Sequence, residues 1–245
     1  MTGTGSYTDL AGEYDALLGA LAEQTWHRGI LAEVNRLGWD RHGLVVDLGA
    51  GTGIGGRLLA AEAGATRLIA VDDAEPMLAR AAPYYERLLL SDIANVALPD
   101  ASADLVVCGF DTLNYLNPVQ LASCFESVSR LLHPAGWLVF DYSSPQLLRC
   151  HWRDLATVDQ LPEGTLHWRH RFDADLGYCL TTVERRDIVD RTVWREEHIQ
   201  YALDTAELQA LAATAGMRVD RVRDLDRAEF SPAAHTHVWT LLKEA

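Results

Sequence analysis

The chain has 245 residues, 49% hydrophobic and 23% charged, with a formal net charge of −14. That length and balance suit one domain, 1–245, with a real core and no long disordered tract. Acidic residues are spread along the chain, a surface that repels phosphate backbones and anionic headgroups, so neither nucleic acid nor membrane is an expected partner. Four cysteines (Cys108, Cys124, Cys150, Cys179) form no CxxC pair and no metal-ligand spacing. They read as reduced packing residues, and no metal is expected. The start, MTGTGSYTDLAGEYD, holds no basic region and no apolar run, and no apolar stretch approaches the ~20 residues of a membrane span. The expectation is a cytoplasmic protein, monomer or homodimer.

Residues 7–38 carry apolar side chains at near-helical spacing, with breaks expected at Gly29 and near Gly38, and residues 1–40 read as a helical lid. LVVDL (44–48) is a short apolar run ending in glycines, as a buried parallel strand should be. A helix follows over 55–63, then a strand at 67–72 and a helix from Glu75 with Pro76 in its first turn. Strands are expected at 88–92 and 103–110. An amphipathic helix, 117–132, opens with Asn117 as cap and Pro118 behind it. The His133-Pro134-Ala135-Gly136 turn precedes a fifth strand, 137–142. Such alternation implies βαβ units and a parallel sheet with right-handed crossovers.

From about residue 150 the texture changes. Over 165–203 polar and apolar residues alternate with period two, which predicts an antiparallel insertion of three or so strands within 151–203. Thr205 is expected to cap a helix that stops near Gly216, and 217–225 with 236–244 read as a final antiparallel pair. The fold class expected is α/β: a Rossmann-like, mostly parallel, seven-stranded sheet with helices on both faces. The core spans 41–150, the β insertion follows strand five, and 204–245 supply the last helix and strand pair.

The chemistry-bearing stretch is Asp47-Leu48-Gly49-Ala50-Gly51-Thr52-Gly53. Alternate glycines after a buried strand permit a tight turn and let a ligand lie on the backbone, and the next helix adds free N–H groups. Asp47 can accept a bond from an ammonium group. Asp72 ends the second strand, where it can take two ribose hydroxyls, and Asp92 ends the third, where it can take an adenine amino group. A carboxylate for an amino acid, one for a ribose and one for a purine, in strand order, describe S-adenosylmethionine.

On these residues the chain resembles the class I S-adenosylmethionine-dependent methyltransferases over essentially its whole length. DLGAGTG matches their first motif, VDDAEPML their ribose segment, LLLSDIANVALPD their adenine segment and LLHPAGWLVFDY their fifth-strand signature. DTLNYL (111–116) and the antiparallel insertion are similar to bacterial secondary-metabolite and sugar methyltransferases. The resemblance implies that Asp47, Gly49, Gly51 and Gly53 hold the methionine portion and Asp72 the ribose. Asp73 or Ala74 would lie against the adenine, Asp92 and Ile93 at its amino edge, and Phe110 near the sulfonium. Tyr7 or Tyr14 would close over the ligand. At Pro134-Ala135-Gly136 the chain departs from the two glycines usual in the family.

Each assignment has a plainer alternative. Asp92 could be an exposed turn carboxylate, Tyr7 and Tyr14 packing residues, and Asp111 a cap. Asp111 and Asp141 sit where metal-dependent catechol methyltransferases keep ligands, but Tyr142 and Ser143 replace the usual third ligand. His167, His170 and Tyr14 are the candidate catalytic side chains. His133 reads as a turn residue, while His235 and His237 would share a strand face. The expected activity is methyl transfer to an O or N atom of a small-molecule acceptor. A non-methylating reaction such as cyclisation and a regulatory binding module are the alternatives.

Overall fold

The computed structural model describes residues 7–244 and contains two sheets. The first has seven strands in the order β10-β11-β5-β4-β1-β2-β3. These are β1 (Leu44–Leu48), β2 (Arg67–Asp72), β3 (Arg87–Leu90), β4 (Ala103–Cys108), β5 (Leu132–Ser143), β10 (Met217–Asp224) and β11 (Thr236–Lys243). Strands β1 to β5 run parallel, and β11 is antiparallel to both β5 and β10. This is the Rossmann-like sheet expected.

Strand β1 is buried throughout, and its alternation sorts the core. Leu44, Val46 and Leu48 join one apolar layer with Phe125, Val128 and Phe140. Val45 joins the opposite layer with Trp26, Leu58 and Leu105. Helices α5 (Pro118–Leu131) and α6 (Thr205–Thr214) supply the first layer. Helices α1 (Tyr14–Trp26), α2 (Ala32–Arg36) and α3 (Ile54–Leu58) supply the second. Asp47 shares the face of Val45, so period two alone aims its carboxylate towards α1 and α3.

Several boundaries differ from the sequence reading. Gly29 does not break the first helix: a wide turn, His27–Leu31, carries α1 into α2, and extended Leu37 ends it. A Cβ on Gly29 would lie 3.1 Å from Leu225, so the glycine serves close packing. Arg223 Nη2 donates to the Arg28 and Gly29 carbonyl oxygens of this turn. Strand β4 stops at Cys108, because Phe110 and Asp111 take φ of 57° and 54°. Strand β5 begins at Leu132 rather than 137. Asp204, not Thr205, caps α6: its carboxylate accepts from Glu207 N while Glu207 accepts from Asp204 N. The helix was expected, and its cap lies one residue earlier than the sequence reading placed it.

The insertion is a four-stranded antiparallel sheet, β6 (Ala156–Leu161), β7 (Gly164–Asp173), β8 (Tyr178–Arg186) and β9 (Thr192–Tyr201), in that order. Strand β6 went unrecognised because nearly every residue in it is exposed, which removes the alternation that marks a half-buried strand.

Candidate functional site

The strand order reverses between β1 and β4, and at such a switch point the carboxyl ends of an open sheet leave a crevice. A cavity of about 360 Å³ opens there. Its wall includes Gly49, Gly51, Asp72, Asp73, Asp92 and Ile93, and beyond them Tyr7, Tyr14, Phe110 and Tyr115. No histidine, lysine or arginine lines it among the described residues.

The glycine loop is held from below. Gly49 N and Ala50 N donate to Val71 O (2.8 and 3.1 Å), which pins the loop to β2. Gly49, Gly51 and Gly53 all have positive φ, 67°, 54° and 90°. Their surroundings differ. A Cβ on Gly49 would collide with Thr112, and one on Gly53 would lie 2.9 Å from Ala81 Cα, whereas one on Gly51 would meet nothing within 4 Å. Gly49 and Gly53 thus satisfy packing, and Gly51 alone keeps cavity space open.

Asp47 is fully buried. Its Oδ2 accepts from the Tyr85 hydroxyl at 2.5 Å, and its Oδ1 has no partner. Burial pushes its carboxyl up to about 7; the Tyr85 bond opposes this and the Asp72 charge adds to it. Asp72 Oδ2 accepts from Gly51 N (2.8 Å) and Oδ1 from Ala74 N (2.9 Å). Burial still raises it above its ordinary value, against those two donors. Burial, then the Asp92 charge, raises Asp73 as well. Asp92 Oδ1 accepts from Ala94 N (2.8 Å) and caps the short turn Ile93–Asn95. Of the four, only Asp47 is fully buried; Asp72 is half-buried, and Asp73 and Asp92 are exposed. A buried carboxylate without a cation beside it is costly, and a cationic ligand would relieve it. An orphaned Asp47 oxygen suits an ammonium group, and the whole set suits a ligand that also carries a sulfonium.

Of the residues that the resemblance named, Gly49, Gly51, Asp72, Asp73, Asp92, Ile93, Phe110, Tyr7 and Tyr14 line the cavity, whereas Asp47 and Gly53 do not: Asp47 is fully buried and Gly53 packs on Ala81. Ala74 is buried behind Asp72. Sequence reasoning missed Trp26, whose ring fills the space that a side chain on Gly55 or Gly109 would need. Trp26, Ile30 and Val34 form a readable core stripe, but their meeting with two distant glycines is tertiary. It also missed Tyr85, with no periodic pattern around it, and Thr52, whose hydroxyl donates to Asp15 Oδ1 (2.6 Å) and ties α1 to the loop.

Two of the three candidate catalytic side chains lie elsewhere. In β7, Leu166 is buried, so the alternation turns His167 to the opposite face, where its Nε2 is 2.9 Å from Thr165 Oγ1. His170 stacks on Trp152 and its Nδ1 is 2.8 Å from Thr181 Oγ1; burial lowers it below the ordinary histidine value. Neither lines the cavity, and Tyr14 does. His235 packs on His151, and His237 Nε2 is 2.8 Å from Ser231 O, so this pair is not at the cavity either.

Asp111 and Asp141 meet beneath the cavity. Asp111 N donates to Asp141 Oδ1 (3.2 Å), and Asp111 Oδ2 accepts from Gln200 Nε2 (2.9 Å) and Ser143 Oγ (3.3 Å). Burial pushes them up to about 6 and about 7, Asp111 adding to the shift of Asp141. Among the described residues no group of three or more His, Cys, Asp and Glu side chains could hold a metal ion. No helix there is long and apolar enough to cross a membrane.

Comparison with known proteins gives a family match and several similar folds. Residues 45–136 match the family described as a methyltransferase domain. The chain is 27% identical over 244 residues to the putative methyltransferase YqeM of Bacillus subtilis, covering 94% of this chain and 93% of that protein. An S-adenosylmethionine-dependent methyltransferase from Clostridium acetobutylicum superposes with a TM-score of 0.82 at 20% identity, over 98% of this chain and all of the other. The CcbJ methyltransferase of Streptomyces caelestis gives 0.81 at 20%, over 98% of each chain. The sugar N-methyltransferase KedS8 of a Streptoalloteichus species gives 0.71 at 18%, over 100% of this chain and 96% of that one.

Proposed function

We propose that this chain is an S-adenosylmethionine-dependent methyltransferase on the class I fold and that it methylates an oxygen or nitrogen of a small molecule. The acceptor class we infer is a secondary metabolite or its sugar. The observation that carries this reading is that Asp72 and Asp92 line the crevice that Gly51 leaves open, with Asp47 fully buried behind it and one of its oxygens without a partner.

When bound, the cofactor supplies a methyl group on a positively charged sulfur, already activated for in-line displacement. The protein's task is then to hold and to aim. Asp47 Oδ1 would take the ammonium, Asp72 the ribose hydroxyls and Asp92 the adenine amino group. Phe110, Tyr7 and Tyr14 would shield the sulfonium and offer aromatic faces to its charge. Holding an acceptor at near-attack distance can supply roughly 7–11 kcal/mol of the barrier, so catalysis can do without a strong base. The absence of lysine and arginine from the wall favours a neutral or cationic acceptor group there. Glu197 and Ile199 of β9 line the same cavity, which supports a role for the insertion over the acceptor end. The likeness to KedS8 supports a sugar amine as one acceptor type.

The test is incubation with S-adenosylmethionine and a panel of amino sugars and hydroxylated metabolites, followed by mass spectrometry. A product heavier by one methylene group, with stoichiometric S-adenosylhomocysteine, is expected. An isomeric product would instead place the chain among enzymes that use the cofactor without spending its methyl group. No turnover across the panel would favour a binding module.

A further inference from the structure

Strand β9 buries Glu196, His198 and Gln200 and leaves Glu197 and Ile199 between them exposed. Glu196 is 4% exposed, and its nearest donors come from a segment nearly two hundred residues earlier. Its Oε1 accepts from Asp9 N (2.5 Å) and Leu10 N (3.2 Å), and its Oε2 from Tyr7 N (3.2 Å). His198 Nε2 lies 3.3 Å from the same Oε2. Burial opposes the charge, but His198 and the Asp9 and Leu10 amides outweigh it and hold Glu196 below its ordinary value.

This carboxylate does the work of a cap. The short turn Leu10–Gly12 begins after Asp9, whose own side chain makes no capping bond. Its free amides are satisfied from another strand. Tyr7 is also held at φ 67°, a conformation that a non-glycine residue adopts only under restraint. The result is a ring placed over the cavity. Tyr7 meets Tyr14 edge-on at 5.6 Å, its hydroxyl is 2.5 Å from that of Tyr115, and its ring is 4.7 Å from His198. All three tyrosines line the cavity; Glu196 does not.

We propose that Glu196 is a positioning residue, a latch by which the insertion sheet holds segment 7–10 as the wall of the methyl-donor cavity. The inference rests on the methyl-donor reading and adds a division of labour. The strand tips decide which nucleoside binds, and Glu196 decides how long it stays. Opening the wall requires three charge-assisted hydrogen bonds to break together.

Stopped-flow dissociation of S-adenosylhomocysteine tests this with Glu196→Ala, Glu196→Gln, Tyr7→Ala and the Glu196→Ala/Tyr7→Ala double variant. Glu196→Ala should speed release by about tenfold or more while association changes little. Glu196→Gln, which keeps an acceptor oxygen, should fall between it and the wild type. Tyr7→Ala should release about as fast as Glu196→Ala, and the double variant no faster than either, because both remove one closed wall. If Glu196→Ala does not fold, Glu196→Gln and Tyr7→Ala carry the test. Release rates within twofold of wild type, or single effects that multiply in the double variant, would overturn the latch alone. A wild-type protein that binds no S-adenosylhomocysteine would overturn the methyl-donor reading and the latch with it.

Discussion

Asp47 and Tyr85 share a 2.5 Å hydrogen bond that satisfies one oxygen of a fully buried carboxylate and leaves the other bare. Tyr85 also accepts from Gly56 N (2.8 Å), so the pair sits between β1 and the helix that follows the glycine loop. Asp47→Asn keeps the shape and removes the charge. It should weaken S-adenosylmethionine binding by about 1–3 kcal/mol, the worth of a charge-assisted bond. The ligand-free variant should melt no earlier than wild type at pH 8, since a buried charge has gone. Calorimetry and thermal melts separate the two effects.

The same residue predicts a pH dependence. Its carboxyl is raised to about 7, so a proton must leave before the ammonium can pair with it. Donor affinity should be flat above pH 7 and fall towards tenfold per unit below it. For stability the sign is opposite. Asp47, Asp111 and Asp141 hold protons in the folded state that the unfolded chain has released above about pH 4. Their contribution is present at acidic pH and lost as pH rises from about 4 to about 7. Ligand-free melts across that interval should show it, and saturating donor should flatten the loss.

The glycines of the loop should separate function from folding. Gly51→Val places its side chain in the cavity, so binding should be abolished, with a stability cost of about 1–2 kcal/mol for the left-handed backbone. Gly49→Ala, which would meet Thr112, should cost more stability than that. Equal destabilisation by the two would contradict the placement.

Asp72→Ala removes the acceptor for Gly51 N and Ala74 N as well as the ribose contact. Nucleoside affinity should drop by about 1–3 kcal/mol. Adenosine alone, which lacks the amino-acid tail, should lose a similar amount, whereas Asp47→Asn should leave adenosine binding unchanged.

The departure at residues 134–136 has a cost that can be recovered. Ala135 takes φ 63°, where glycine is at ease and alanine is not. Ala135→Gly should raise stability by up to about 1 kcal/mol without touching donor binding, as denaturant melts would show.

What the sequence made legible was the part governed by local rules. Buried apolar runs and alternate glycines are written contiguously, and so β1 to β5 could be located from the sequence, with the end of β4 and the start of β5 displaced by a few residues. The Gly51 loop is a clear instance, since backbone conformation and ligand space are decided by neighbouring residues. Glu196 and His198 were not legible. Their partners, Tyr7 to Leu10 and Tyr115, are joined to them only by the docking of the insertion on the core. His167 and His170 misled for a related reason: chemistry was judged from residue type, while strand alternation and the stack on Trp152 decided their directions.

Titration of the wild-type protein with S-adenosylhomocysteine at pH 8, followed by heat, tests the three-carboxylate crevice most directly. Saturable one-to-one binding in the micromolar range is the expected result. No heat up to millimolar ligand would contradict it, because a site built from these strand tips has no reason to refuse that molecule.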